Sequence, residues 1–156
     1  MVPAVVLLLA GCGSEPSRPQ DVVVEAGSQR IEASPTQYCV DGEGQRYATT
    51  PPIVEVSPDT TIRLTVPDAV AERGWSVQVF DEQLQGRLGD VDVDAGDAVA
   101  EVNSSDAAPP AYYLVVVEDA GEECDGFSGA WPIGFLRAGG AQDGTATEPT
   151  TPPPSG

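Results

Sequence analysis

The run Asp90-Val91-Asp92-Val93-Asp94-Ala95-Gly96-Asp97-Ala98-Val99-Ala100-Glu101 holds the residues whose types and spacing come nearest to a metal-binding pattern. Asp90, Asp92 and Asp94 stand at alternate positions and Glu101 stands at the twelfth. That imitates a calcium loop, in which hard carboxylate oxygens surround a hard cation. The sharp bend of such a loop needs glycine at the sixth position. Ala95 occupies it, and Gly96 comes one place late. The flanks also read as strands where a calcium loop has helices. The preferred reading is a strand with Val91 and Val93 inward and the aspartates outward, closed by an Asp-Ala-Gly-Asp turn. Asp90, Asp92, Asp94 and Glu101 then form at most a weak, millimolar calcium site, and no metal is expected.

Nucleophilic chemistry is poorly served. Cys124 to Trp131, CDGFSGAW, looks superficially like a serine elbow, but the spacing is wrong and Ser128 reads as a turn residue. The chain has no histidine, and all seven basic residues are arginines. Without histidine there is no Ser-His-Asp or Cys-His pair and no imidazole ligand. Without lysine there is no Schiff base, Ser-Lys dyad or P-loop. Paired carboxylates could still hydrolyse a glycoside. With 25 acidic residues, however, chance pairs are common. No catalytic residue and no cofactor is expected. The net charge of −18 excludes nucleic acid as a partner, since phosphate contacts require clustered cations.

The three cysteines divide unevenly. The apolar run Val5 to Ala10 is far shorter than a membrane span, but it has the length of a signal peptide's hydrophobic region. Leu9-Ala10-Gly11-Cys12 resembles a bacterial lipobox. The resemblance implies cleavage before Cys12 and acylation of that cysteine, with two or more acyl chains giving stable anchoring. Met1-Val2-Pro3 lacks the basic residue that usually opens such signals, so either the signal is weak or the start lies further upstream. The competing reading is an ordinary secretory signal with a coincidental cysteine. Assigning Cys12 to lipid leaves Cys39 and Cys124, which an oxidising exterior would pair. The alternatives are two buried free thiols or, with less support, a metal site.

These groups need a scaffold, and the pattern of the chain is β throughout. Asp21–Glu25 and Arg30–Ala33 flank Ala26-Gly27-Ser28-Gln29 as a hairpin. Tyr38-Cys39-Val40 continues as a strand, and residues 41–45 read as a glycine-rich turn. After Pro51-Pro52, IVEV leads through Ser57-Pro58-Asp59-Thr60 into TIRLTV, where Ile62, Leu64 and Val66 alternate with Arg63 and Thr65. WSVQVF, LGDVDV, AVAEV, YYLVVVE and AWPIGFL follow. Pro132 removes a ladder donor and suggests an edge position for the last of them. Only residues 68–73 hint at a helical turn. Eight or nine short strands with regular turn signals predict an all-β, antiparallel, immunoglobulin-like sandwich. Trp75 resembles the core tryptophan of immunoglobulin domains, although the cysteines do not sit where their inter-sheet bridge would.

VVVEAGSQRIEASPTQYC, then PPIVEVSPDTTIRLTVP, then Trp75, resemble a family of small actinobacterial secreted lipoproteins of unknown function. The resemblance covers about residues 21–137 and implies an envelope location with no known reaction. The expected organisation is a signal peptide over 1–11, a lipidated Cys12 and tether over 12–20, one sandwich over 21–137, and a disordered Pro/Gly/Thr-rich tail over 138–156. The expected function is a non-catalytic binding or interaction module on the outer face of the cell membrane. An accessory subunit of an envelope complex is the second reading, and a small carboxylate-dependent hydrolase the third. The expected partners are the membrane, through Cys12, and an envelope protein. In AYYLVVVE both strand faces are apolar. Either the N-terminal hairpin or a loop covers the outer one, or Tyr113, Val115 and Val117 form an exposed docking face.

Overall fold

The computed structural model describes residues 19–107, 109–119 and 121–138. Cys12, nearly all of its tether, and the tail beyond residue 138 lie outside the described residues. The described elements are β1 (Val22–Ala26), β2 (Gln29–Ala33), β3 (Gln37–Val40), β4 (Glu43–Arg46), β5 (Ile53–Val56), β6 (Thr61–Thr65), α1 (Asp68–Arg73), β7 (Trp75–Asp81), β8 (Arg87–Asp92), β9 (Val99–Asn103), β10 (Ala111–Glu118) and β11 (Ala130–Arg137). A short 3₁₀ turn, Glu123–Gly126, precedes β11.

They form two sheets. The smaller has the order β2-β1-β6-β9, and the larger has β4-β3-β11-β10-β7-β8 with β5 also paired to β11. Val22, Val24 and Ala26 alternate inward on β1, as do Ile62 and Leu64 on β6 and Ala100 and Val102 on β9. Trp75, Val77, Tyr112, Leu114, Val116, Trp131, Ile133 and Phe135 fill the core from the larger sheet. Each fully buried aliphatic side chain contributes about 1.5–3 kcal/mol. Tyr112 and Phe135 stack with centroids 5.6 Å apart, and Tyr38 meets Trp131 edge-on at 5.7 Å. This is the sandwich that the alternation predicts.

Three details differ from the sequence reading. The expected turn over 41–45 is shorter and contains a strand: Asp41 (φ 51°) and Gly42 (φ 78°) make a two-residue hairpin turn, and β4 begins at Glu43. Its residues, Glu-Gly-Gln-Arg, are all exposed and carry no hydrophobic alternation, so eight or nine strands become eleven. Second, the pairing is not antiparallel throughout, because β5 does not pair with β6, its neighbour in sequence. The turn between them carries the chain from one sheet to the other, and β5 runs parallel to β11. The buried Ser104 hydroxyl holds that crossing, donating to the Ser57 carbonyl at 2.8 Å and accepting from the Thr60 amide at 3.0 Å.

Third, β11 is an interior strand, not an edge. It pairs along its length with β10, while its other side meets β3 only at Ala130↔Gln37 and β5 only from Gly134 onward. The Ala130 carbonyl and the Gly134 amide both point to that second side. Pro132 lies midway and shares their orientation, so its missing N–H faces the gap between β3 and β5. The proline marks a local edge within a central strand.

Candidate functional site

Cys39 on β3 and Cys124 in the 3₁₀ turn form a disulfide between positions 85 apart. The bridge pins the β3–β4 hairpin to the loop entering β11. Phe127 lies flat against Gly44, where an added Cβ would come within 2.8 Å of its ring, and Arg46 sits over that ring at 5.3 Å. The bridge lies at the margin of the larger sheet and does not join the two sheets. Disulfides persist in oxidising, extracytoplasmic spaces. No helix among the described residues is long and apolar enough to cross a membrane.

The outer faces of the two sheets are chemically opposite. On the smaller sheet one row crosses all four strands in register, with Arg30, Glu25, Arg63 and Glu101 as neighbours. Arg30 reaches Glu25 at 2.8 Å, and Arg63 reaches Glu101 at 3.0 Å and Glu25 at 4.0 Å. Two cations and two anions close on themselves. Exposed pairs like these add little stability, but they balance the charges of this row.

On the larger sheet the corresponding face is apolar at its centre. Tyr113 pairs with Phe80 on one side and with Gly134 on the other, and Gly134 pairs with Ile53. Gly134 makes a hollow in this row. A Cβ there would lie 3.1 Å from Tyr113 Cε1 and would collide with Ile53 Cδ1, so both side chains fold over the glycine. Ile53 is 53% exposed and Leu136 43%. Of the residues singled out from sequence, Tyr113 and Val117 are half-buried and Val115 is 9% exposed. The N-terminal hairpin does not cover them, because it belongs to the other sheet. The most exposed apolar side chains of the face are therefore Ile53 and Leu136, and Tyr113 lies between their strands and β7.

Sequence reading missed Ile53 and Leu136. Ile53 shares its face with Glu55, and that shared parity was the available signal for an outward isoleucine. Leu136 is the outward counterpart of the buried alternation Trp131, Ile133, Phe135.

The acidic motif borders the same face. Asp90 and Asp92 are exposed, while Val91 and Val93 are half-buried against the core. Asp90 pairs with Arg87. Asp94 lies in the following turn, and Glu101 sits on the other sheet, occupied by Arg63. These four carboxylates do not converge, and no group of three or more metal-ligating side chains is arranged to hold an ion among the described residues. Ser128 is a loop residue whose carbonyl accepts from Gln37 Nε2 at 2.8 Å.

One carboxylate is fully interior. Glu118 closes the inner row of β10 at 1% exposure, and its Oε1 accepts from Arg73 Nη1 at 3.1 Å. Its Oε2 lies against Gly129, and the Tyr38 phenol approaches the carboxylate without a well-formed hydrogen bond. Burial pushes its pKa up, and Arg73 opposes that shift. Burial, reinforced by Glu118, also raises the Tyr38 phenol. Tyr112 is pushed up to about 12 by burial, against the pull of Arg137. Glu118 is enclosed. A cleft of about 740 Å³ lies beside the β3–β4 hairpin, lined by Pro35, Val40, Glu43, Arg46 and Tyr47 among others.

The fold and its surfaces thus define a disulfide-bridged β-sandwich with one ion-paired and one apolar outer face. Residues 14–123 match the family described as "protein of unknown function (DUF2771)", and the chain belongs to that family. The matched span includes β1 to β10 and stops before β11, although β11 pairs with three of those strands. No curated protein and no solved structure matches the chain.

Proposed function

We propose that this protein is a non-catalytic binding module of the cell envelope, anchored to the outer face of the membrane through an acylated Cys12 and docking a protein partner on the outer face of its larger sheet. The observation that carries this reading is the apolar row Ile53, Gly134, Tyr113, Phe80, with Leu136 beside it, left open on a sheet whose opposite number is closed by ion pairs. Exposed contiguous apolar surface on a soluble domain marks an interaction site. The Cys39–Cys124 bridge supports an extracytoplasmic setting, and the enclosure of Glu118 supports a non-catalytic role.

Two measurements test it. Mass spectrometry of the native protein should find acyl chains on Cys12. An unmodified thiol there removes the anchor. Photo-crosslinking in intact cells from position 113 or 136 should give a discrete protein adduct, and position 32, on the outer face of the smaller sheet, should give none. Equal adducts from all three positions would remove the docking face. Co-purification of a stoichiometric multi-subunit assembly would favour the accessory-subunit reading.

A further inference from the structure

Resting on that docking reading, we infer that the outer face of the larger sheet is built for a cationic partner: a protein segment with an apolar centre flanked by Lys or Arg. The strands on this face run β5, β11, β10, β7, β8. The apolar residues lie in the middle, and carboxylates stand at both margins. Glu55 on β5 shares a face with Ile53, and Asp90 and Asp92 on β8 share it with Gln78 and Ser76. Four inter-strand steps separate the two margin strands by about 19 Å, and the register sets Glu55 level with Ala111 of β10 but Asp92 level with Val117, about 20 Å further along, so the two carboxylates stand at diagonal corners about 28 Å apart.

The local pairing decides which of these charges are available. Asp90 is paired with Arg87, and the nearby Asp81 accepts amides of its own turn, from Gln83, Gln85 and Gly86. The described ion pairs include neither Glu55 nor Asp92. The described arginines are otherwise engaged. Arg30 and Arg63 serve the smaller sheet, Arg73 serves Glu118, Arg46 lies over Phe127, and Arg137 donates to the carbonyls of Ser104 and Ala107. No described arginine is left over for Glu55 or Asp92, so both remain available to a cation on a partner.

Charge also separates the possible occupants. A second copy would bring acidic margins onto acidic margins, because a two-fold interface uses the same patch twice, and each chain carries −18. An anionic lipid surface is repelled for the same reason. A partner with Lys or Arg about 28 Å apart, set diagonally across an apolar centre, satisfies both corners and the centre.

The test uses the full-length acylated protein in neutral detergent. Three short peptides alternate Val and Tyr with Lys, with Thr or with Glu, and binding is followed by calorimetry. The Lys peptide should bind at least about tenfold more tightly than the Thr peptide, and the Glu peptide should not bind. Its affinity should fall as salt rises from about 50 to about 300 mM. Glu55→Gln with Asp92→Asn should bring Lys and Thr peptides close to parity, whereas Glu32→Gln on the other sheet should not. Equal Lys and Thr affinities, an equal effect of Glu32→Gln, or no Lys-peptide binding at millimolar concentration overturns the cationic partner. Self-association that strengthens with salt points to a second copy and overturns it too. Ile53→Ser with Tyr113→Ser separates the two levels. If that variant binds all peptides unchanged, the docking face itself is wrong. If it loses a charge-indifferent binding, only the partner chemistry is wrong.

Discussion

Replacing Cys39 and Cys124 by alanine is a perturbation whose size follows from the fold. The bridge joins positions 85 apart. The chain-entropy relation then assigns it about 4.6 kcal/mol at 25 °C, through the conformations it denies the unfolded state. The native contacts of the β3–β4 hairpin are few enough to make this matter. They include one residue pair with β11, the Gln37–Ser128 hydrogen bond, Phe127 against Gly44 and under Arg46, and Tyr38 on the edge of Trp131. A domain of this size has about 5–15 kcal/mol of total stability, so the bridge supplies a third or more of it. At roughly 4 °C per kcal/mol, Tm should fall by about 18 °C. Urea unfolding, followed by far-UV circular dichroism and by fluorescence of Trp75 and Trp131, should show the midpoint fall and the slope rise as the unfolded chain expands. A loss below about 1 kcal/mol with unchanged slope would refute the reasoning, because the bridge would then not restrain the unfolded chain. A loss of the expected size also has a compartmental consequence: the fold depends on an oxidising space.

Two further outcomes follow from the interior. Gly129→Ala should destabilise by about 1–3 kcal/mol, since its Cβ would press at 2.8–2.9 Å on Glu118, Tyr38 and Trp131 in the packed end of the core. Gly134→Ala should cost less, because the nearest obstacle is the mobile tip of the exposed Ile53; paired urea titrations check the order, and a larger loss at Gly134 contradicts it. Glu118→Gln tests the raised carboxyl. A folded-state pKa above the unfolded 4.5 gives stability that is fully present below 4.5 and lost as pH rises through the folded value, so the variant should gain on the wild type as pH rises over that window. Urea titrations across the acid range read the difference, and a flat or falling difference would contradict the assignment.

The sandwich was legible because its signal is local. The alternation of Ile62 and Leu64 with Arg63 fixes one buried face without any knowledge of partners. The turn at Gly27, with φ 59°, marks its hairpin just as directly. The Cys39–Cys124 pairing came from counting, since an odd cysteine had a separate destination and the other two had none. β4 escaped notice because Glu43, Gln45 and Arg46 bury nothing, so its pairing depends on the turn at Asp41-Gly42 and on no hydrophobic pattern.

The site was legible only in half. The parity of AYYLVVVE announced that β10 is apolar on both sides, but parity says nothing about which strands flank it. The composition of the outer face is set by pairings between residues far apart in the chain, above all Ile53 with Gly134 and Phe80 with Tyr113. β5 reaches its place only because the chain changes sheets after Val56, and a hairpin of β5 with β6 would have carried Ile53 and Glu55 to the other sheet. Arg63 stands on β6 and draws Glu25 and Glu101 together, so the same crossing that gives one face a closed charge row leaves the other with Arg87 as its described cation, already paired with Asp90. The difference between the two faces is therefore a product of topology acting on an arginine-poor sequence.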